Sequence, residues 1–302
     1  MNGGREKMKM NKNQRRAAFI LLAPFTVLFL MFTVLPIISS IALSFTYFNM
    51  VDAPKFIGID NYVRMFADDS VFFIAVKNTL IFALITGPLG YAMSFIFAWM
   101  INDFGRGMRS FLTMLFYAPT LAGNVFFIWL FIFSGDSYGL VNSFLMKYGI
   151  ILEPIQWLTD SKYSMGVVIL VMLWLSLGAG FLSFIAGFQN LNRECFEAGA
   201  IDGIRNRWQE LWYITVPQMA PQMMFAAVMT ISSSFAVGYQ CMELTGFPST
   251  DYSTHTILLH ILDVGTIRFD MGYASALAVI LFGTMVLMWK IISSALSRVS
   301  GD

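Results

Sequence analysis

Cysteine and histidine are scarce in this sequence of 302 residues, and so are the patterns that build catalytic sites. The two cysteines, Cys195 and Cys241, are too few for a disulfide scaffold and lack metal-ligand spacing. The two histidines, His255 and His260, have no convergent ligands in the sequence, so we expect ordinary polar residues of a loop. No G-x-x-x-x-G-K-S/T phosphate loop occurs, so we expect no ATP site of that kind in this chain. The sequence therefore argues against an enzyme.

Charge is the second shortage. Only 12% of the residues are charged, about half the usage of an ordinary soluble domain, whereas 57% are hydrophobic. The net charge of +1 gives no indication of a nucleic-acid partner. This composition predicts a protein that is surrounded by membrane lipid.

The apolar residues are gathered into long stretches without a single charge. Each stretch reaches or exceeds the roughly 18 residues that mark a candidate transmembrane helix. We therefore predict an all-α membrane protein with six transmembrane helices. The stretches are Ala17–Val51, Asn78–Asn102, Ser110–Gly135, Tyr163–Asn192, Leu211–Met242 and Met271–Trp289. The first is too long for a signal peptide, and we expect it to be bent or tilted around Pro24 and Pro36.

Basic residues are distributed unevenly between the ends of these stretches, and this predicts the orientation. One side of the six-span arrangement receives the basic tail at the start of the chain and most of the arginines of the loops. The opposite side receives most of the acids. We therefore expect both termini in the cytoplasm of a cell whose cytoplasmic membrane holds the chain. The basic residues of the inner side are Arg5, Lys7, Lys9, Lys12, Arg15, Arg16, Arg106, Arg109, Arg193, Arg205, Arg207, Lys290 and Arg298.

The predicted organisation has no separate soluble domain and no internal repeat. Within the external segments, the spacing of apolar residues predicts an interfacial helix around Tyr62–Phe66 and a second short surface helix in residues 136–162. The predicted parts are a cytoplasmic tail (1–16), a first transmembrane helix (17–48), an external loop (49–73), a core with five transmembrane helices (74–297) and a second cytoplasmic tail (298–302).

The loop at residues 190–219 is unusual because it is charged. It contains EAGAIDGIRNRWQELWYITVP, and local signals predict two short helices within it. Asn192 is a plausible N-cap for a helix that runs to about Asp202, and Gly203 then supplies a turn. Asn206 is a plausible cap for the second helix, with Gln209 as its capping-box partner.

Two interpretations of this loop remain open from the residues alone. It is either an interfacial loop whose tryptophans rest on lipid headgroups or a docking element for a partner protein. Small residues at Ala198, Gly199 and Ala200 allow close approach by a partner, and the acids of the loop could fix its orientation.

The motif EAGAIDG, followed by ITVPQMAP, resembles the cytoplasmic EAA signature of ABC importer permeases. The chain departs from the usual pattern at Gly199, where Ala is more frequent, at Ile204, and at Val216 in place of Leu. In that family the loop forms helices that sit in a groove of the ATPase subunit. The resemblance implies that the ATPase-coupling residues here are Glu197, Ala198, Gly199, Asp202, Gly203 and Pro217.

Other stretches are similar to the carbohydrate branch of that family, the maltose- and multiple-sugar-type permeases. They are FIGIDNYVRMF, NTLIF, FYAP, LTG and DMGYASALAVILF, although Phe247 stands where many members have a further glycine. The resemblance implies the transmembrane domain of a type I ABC importer. It also implies a second, homologous permease, two ATP-binding subunits and an external sugar-binding protein. ATP and magnesium would belong to the ATPase, and this chain would hold no cofactor or metal.

Candidates for the transport path are polar and aromatic residues within the predicted spans, because sugars need hydrogen bonds and aromatic faces. Each could instead hold two helices together, as serine and asparagine often do in membranes. The candidates are Tyr117, Asn124, Trp129, Trp174, Ser232, Ser233, Ser234, Tyr239 and Gln240.

Two other transport functions are the alternatives. A secondary, ion-coupled transporter usually shows inverted repeats and ionisable groups at mid-membrane depth, and the predicted spans show neither. An ABC permease for a solute other than a sugar would keep the charged loop and change only the path.

Overall fold

The computed structural model describes residues 12–123 and 125–300, with side chains for residue 16 and for residues 18–123 and 125–294. This part of the chain is mostly α-helical, with one small antiparallel ribbon of two strands. The helices are α1 (Lys12–Phe29), α2 (Leu35–Leu43), α3 (Asp60–Ala67), α4 (Ser70–Asn102), α5 (Arg106–Leu121), α6 (Phe126–Ile132), α7 (Leu140–Lys147), α8 (Ser164–Leu175), α9 (Ala179–Gln189), α10 (Arg193–Ile201), α11 (Arg207–Glu210), α12 (Val216–Gln218), α13 (Ala220–Phe235), α14 (Tyr239–Thr245), α15 (Ile257–Leu262) and α16 (Met271–Ser300).

Four to six of these helical segments are long and apolar enough to cross a membrane. Ala18–Leu43, Ser70–Asn102, Ser164–Gln189 and Met271–Ser294 qualify singly. Two bent pairs, α5 with α6 and α11–α12 with α13, reach the required length only if each pair is one span. The prediction of a mostly α-helical chain with long apolar helices is confirmed, and the six predicted stretches coincide with the four helices and the two bent pairs.

The first helical segment is mostly exposed. Neither Ala18–Leu43 nor the π turn within it, Leu30–Val34, contains a buried residue. Pro36 follows that turn at the second position of α2, where a missing N–H group is tolerated. The helix ends at Leu43, ahead of the predicted limit at residue 48, and strand β1 (Thr46–Tyr47) pairs with β2 (Lys55–Phe56) immediately afterwards.

Helix α4 is the central helix of the molecule. It has 33 residues and is therefore about 50 Å long. Asp69 caps its first turn by accepting a hydrogen bond from the N–H group of Phe72 at 3.0 Å. All four clusters of buried apolar residues include side chains of α4, namely Phe72, Ala75, Phe82, Ala83, Ala98 and Ile101. Helix α4 therefore packs against every part of the core that these clusters form.

Two short helices lie where the sequence predicts them. Helix α3 covers the stretch around Tyr62–Phe66, and α7 lies within residues 136–162. Asn142 fixes α7 because its buried side chain donates to the carbonyl oxygens of Ser134 and Asp136 and accepts from the Trp157 indole at 2.8 Å.

Candidate functional site

Side-chain caps define both short helices of the 190–219 loop. The Asn192 side chain accepts a hydrogen bond from the N–H group of Glu194 at 3.0 Å and starts α10. The Asn206 side chain accepts from Gln209 N at 2.9 Å, and Gln209 Oε1 accepts from Arg205 N at 3.0 Å. The predicted caps are confirmed, although the reciprocal bond reaches the residue before the cap rather than the cap itself.

Two glycines shape this loop for different reasons. Gly203 has a φ of +94°, and no atom lies within 4 Å of the place where its Cβ would stand. Glycine is favoured there by backbone conformation and not by lack of space. At Gly199 space is the constraint, because a Cβ would lie 2.7 Å from Cδ1 of Ile214 and 3.1 Å from Cδ1 of Ile204. The helices of the loop therefore pack tightly around Gly199 and turn at Gly203.

The exposed surface of the 190–219 loop, which we call its outer face, combines acids with large apolar side chains. The predicted coupling residues Glu197, Ala198, Asp202, Gly203 and Pro217 are all exposed, and Gly199 lies buried beneath them. Four large aromatic or aliphatic neighbours are exposed on the same loop, namely Ile201, Trp208, Trp212 and Tyr213. Exposed apolar surface of this kind, bordered by charges, is typical of a surface that binds another protein or a membrane.

The second half of the loop leads into α13 through a sharp bend. Residues Leu211–Thr215 form a π turn, and the axes of the helices on either side of Met219 differ by 81°. The Gln218 side chain accepts a hydrogen bond from Asn192 N at 3.0 Å, which joins the last residue of α12 to the start of α10. This hydrogen bond therefore holds the two ends of the loop together.

A cavity of about 360 Å³, which we call the central cavity, is lined by residues from three apolar segments that are interrupted. The interruptions separate α5 from α6, α8 from α9 and α13 from α14. Broken helices in a membrane are tolerated where the freed backbone lines a cavity, and this is also where transporters bind substrate. The polar side chains of the wall are Thr86, Thr120, Ser176, Thr230, Ser233, Ser234 and Gln240.

The predicted path residues are divided between this cavity and other places. Ser233, Ser234 and Gln240 line it. Tyr117 accepts a hydrogen bond from the cavity residue Thr120 through its carbonyl oxygen. Trp129 and Trp174 pack edge to face against each other in an apolar cluster, with ring centroids 5.3 Å apart. Ser232 and Tyr239 are exposed away from the cavity wall, and Asn124 lies outside the described residues.

Four hydroxyl residues of the cavity wall were not among the sequence candidates, namely Thr86, Thr120, Ser176 and Thr230. A local signal exists for two of them. Ser176 opens the run SLGAG and Thr86 opens TGP, and glycine-rich or proline-containing interruptions within apolar stretches point to substrate sites in transporters.

A second polar cluster, the Asp69 network, lies at the other end of α4, with a partly buried carboxylate and buried partners. Its members are Asp69, His255, His260 and Tyr273. His260 Nε2 lies 2.8 Å from Asp69 Oδ2, and the Tyr273 hydroxyl donates to the same oxygen at 2.5 Å. His255 Nε2 lies 3.5 Å from His260 Nδ1. Both histidines are about 1% exposed, so the expectation of ordinary loop histidines was wrong.

Burial and hydrogen bonding fix the proton positions in the Asp69 network. Burial alone would raise the pKa of Asp69, but hydrogen bonds from Tyr273 and His260 offset that effect and hold the pKa below its ordinary value. An ionised carboxylate only accepts, so His260 Nε2 carries the proton that points to Asp69. Burial, together with the neighbouring His260, lowers the pKa of His255 to about 4. His255 is therefore neutral at pH 7.

Comparisons with known proteins cover almost the whole chain. It is 33% identical to the probable ABC transporter permease protein YesP of Bacillus subtilis over 91% of this chain and 89% of that protein. It is 32% identical to the lactose transport system permease protein LacF of Rhizobium radiobacter over 86% of this chain and 87% of that protein. No family model matches the sequence.

A solved structure has the same fold. It is the bacterial alginate ABC transporter in complex with a periplasmic protein that holds an alginate pentasaccharide. The two chains superpose with a TM-score of 0.78 and 23% identity, over 95% of this chain and 96% of the other.

Proposed function

This chain belongs to the family of ABC transporter permease proteins, and from that premise we propose that it forms half of the membrane path of a sugar importer. Sugar or oligosaccharide would cross through the central cavity. The observation that carries the proposal is the position of that cavity, at the breaks of three apolar segments and among seven side chains with hydroxyl or amide groups. The hydroxyl groups of the wall donate to nearby backbone carbonyl oxygens and keep lone pairs that can accept from a sugar, while the Gln240 amide can donate to one.

The 190–219 loop is proposed as the dock of a separate ATPase subunit. Its outer face offers Glu197 and Asp202 beside exposed apolar side chains, and Gly203 sets the angle between its two helices. ATP and magnesium would be bound by that partner. ATP binding there can favour one of two packings of the permease only if the contact with the loop differs between them.

The remaining subunits follow from the same proposal. A second, homologous permease would complete the path, two ATPase subunits would dock on the paired loops, and an external sugar-binding protein would deliver the substrate. The relatives' names and the solved alginate complex support this assembly. The basic residues before α1 and in the loop support a cytoplasmic location for the 190–219 loop and for both termini, in the cell membrane.

Uptake measurements test the proposed function. A strain lacking the gene should lose ATP-dependent uptake of at least one radiolabelled oligosaccharide from a panel of neutral and acidic sugars, and the intact gene should restore it. Transport of an amino acid or of an inorganic ion in place of every sugar would contradict the proposal.

Thiol labelling tests the orientation in the same cells. A membrane-impermeant maleimide should modify a cysteine at Ser137, between α6 and α7, but not one at Ser110, near the start of α5. Both positions are exposed in the structure, so accessibility differs only through the membrane. The reverse labelling pattern would overturn the proposed topology.

A further inference from the structure

One arginine joins the 190–219 loop to the central helix. Arg207 Nη2 lies 2.5 Å from Asp103 Oδ2, at the residue that follows α4. The guanidinium carbon of Arg207 also lies 4.7 Å from the centre of the Trp99 ring on the last turn of α4. Trp208, the next residue of the loop, packs on Trp99 with ring centroids 5.3 Å apart. We refer to Arg207, Asp103 and Trp99 as the Arg207 clasp.

The same helix touches the wall of the central cavity a short distance away. Ser94 donates a hydrogen bond to the carbonyl oxygen of Ser176 at 3.1 Å. At Gly90, an added Cβ would lie 2.8 Å from Cβ of Ser176, so α4 and the break after α8 are in close contact. Ser176 lines the cavity. From Asp103 to Ser94 the distance along the helix axis is about 13 Å.

We propose that Arg207 is a positioning residue that transmits displacement of the 190–219 loop to α4 and, through Ser94 and Gly90, to the cavity wall at Ser176. This inference rests on the proposed function, because it assumes that an ATPase moves the loop. Residues 90–102 of α4 are continuous helix and follow Pro88, so this stretch moves as one body between the two contacts.

The chemistry of the clasp requires arginine. Its planar guanidinium can bond a carboxylate with one edge while its face rests on an aromatic ring, and lysine cannot do both. Both members of the ion pair are about half exposed, so the clasp contributes little to overall stability. Its removal should therefore weaken the connection without unfolding the chain.

The test uses the complete transporter, reconstituted in proteoliposomes with its permease partner, ATPase subunits and binding protein. The quantity measured is sugar taken up per ATP hydrolysed. Arg207→Ala should lower it roughly five- to tenfold while ATP hydrolysis and ATPase recovery with the complex stay at the wild-type level. Arg207→Lys should give an intermediate value, and Arg207→Asp combined with Asp103→Arg should restore most of the loss.

Arg106→Ala is the matched control, because Arg106 is an exposed arginine near Asp103 that forms no ion pair among the described residues. It should leave the ratio unchanged. An unchanged ratio in Arg207→Ala would overturn the inference, and so would loss of the ATPase from that complex, which would assign Arg207 to docking. Absence of ATP-dependent uptake in the wild type would instead overturn the proposed function itself.

Discussion

The two ends of α4 are held by opposite kinds of contact. Near residue 102 the helix meets the Arg207 clasp, whose ion pair is about half exposed and lies against the partly buried Trp99 and the exposed Trp208. Near residue 70 it meets the Asp69 network, whose two histidines are about 1% exposed. An exposed ion pair can break and re-form at little cost, whereas a buried hydrogen-bonded charge cannot lose one partner cheaply.

This difference indicates which end can move. The Asp69 network joins the start of α4 to α15 through His260, to the segment before α15 through His255, and to the first turn of α16 through Tyr273. Thr79 adds a further bond by accepting from Ile257 N at 2.9 Å. We infer that this end is a fixed base and that the end with the clasp is the adjustable one.

The largest expected effect comes from removing the carboxylate of the network. Asp69→Ala would leave His260 and Tyr273 buried without their shared acceptor and remove the cap of α4, which should cost about 3 kcal/mol or more. The melting temperature of the purified protein measures this. Asp68→Ala is the control, since that neighbouring acid is exposed, and it should change the melting temperature little. Equal melting temperatures in both variants would contradict the inference that the Asp69 network holds the start of α4 in place.

Acidification should weaken the same end in the wild type. The pKa of His255 is lowered in the folded protein to about 4 from an ordinary value of 6.5, so the unfolded chain binds the proton more readily. The stability that the neutral ring provides is complete above pH 6.5 and is lost as the pH falls from about 6.5 to about 4.

His255→Phe tests the source of that pH dependence. The phenyl ring can still stack on Phe247, as the imidazole does, but it does not titrate in this range. A plot of melting temperature against pH should be flatter in this variant between pH 6.5 and 4. An identical slope in the variant and the wild type would assign the acid sensitivity to other groups.

A smaller effect is expected in the 190–219 loop. Gly199→Val would place atoms against Ile204 and Ile214, where even one Cβ is too close, and such overpacking costs about 1–3 kcal/mol. The strain would fall on the loop, so ATPase recovery should drop more than the melting temperature of the permease. Ala200→Val adds two methyl groups at an exposed position and should alter the melting temperature little. If Gly199→Val and Ala200→Val lowered ATPase recovery to a similar extent, lack of space at Gly199 would not be the cause.

The sequence predicted those features that depend on residues close together in the chain, and it missed those that depend on distant residues. The caps at Asn192 and Asn206 and the turn at Gly203 depend on residues within a few positions, and all three were predicted. The Asp69 network was missed because its acid and His260 are 191 residues apart in the chain. The hydroxyls of the cavity wall were mostly missed because packing decides which face of a broken helix meets the cavity.

Two predicted path residues lie in an apolar cluster, and packing explains why. Trp129 and Trp174 satisfy the sequence criteria for a sugar platform, but their rings pack against each other. This packing favours a role for the two rings in holding helices together, and their place in the transport path stays a prediction. The family was identified from the loop motif, because its charges and glycines stand out against the apolar stretches on either side.

Reversing one charge on the outer face of the 190–219 loop tests the central claim, that this loop is the ATPase dock, most directly. Glu197→Lys would oppose like charges at a docked contact, which can cost several kcal/mol, while Glu153→Lys makes the same change at an exposed acid between α7 and α8. Both variants should reach wild-type abundance in the membrane. We predict that Glu197→Lys loses co-purifying ATPase and sugar uptake and that Glu153→Lys keeps both. Wild-type ATPase recovery and uptake in Glu197→Lys would contradict the assignment of the loop as the dock.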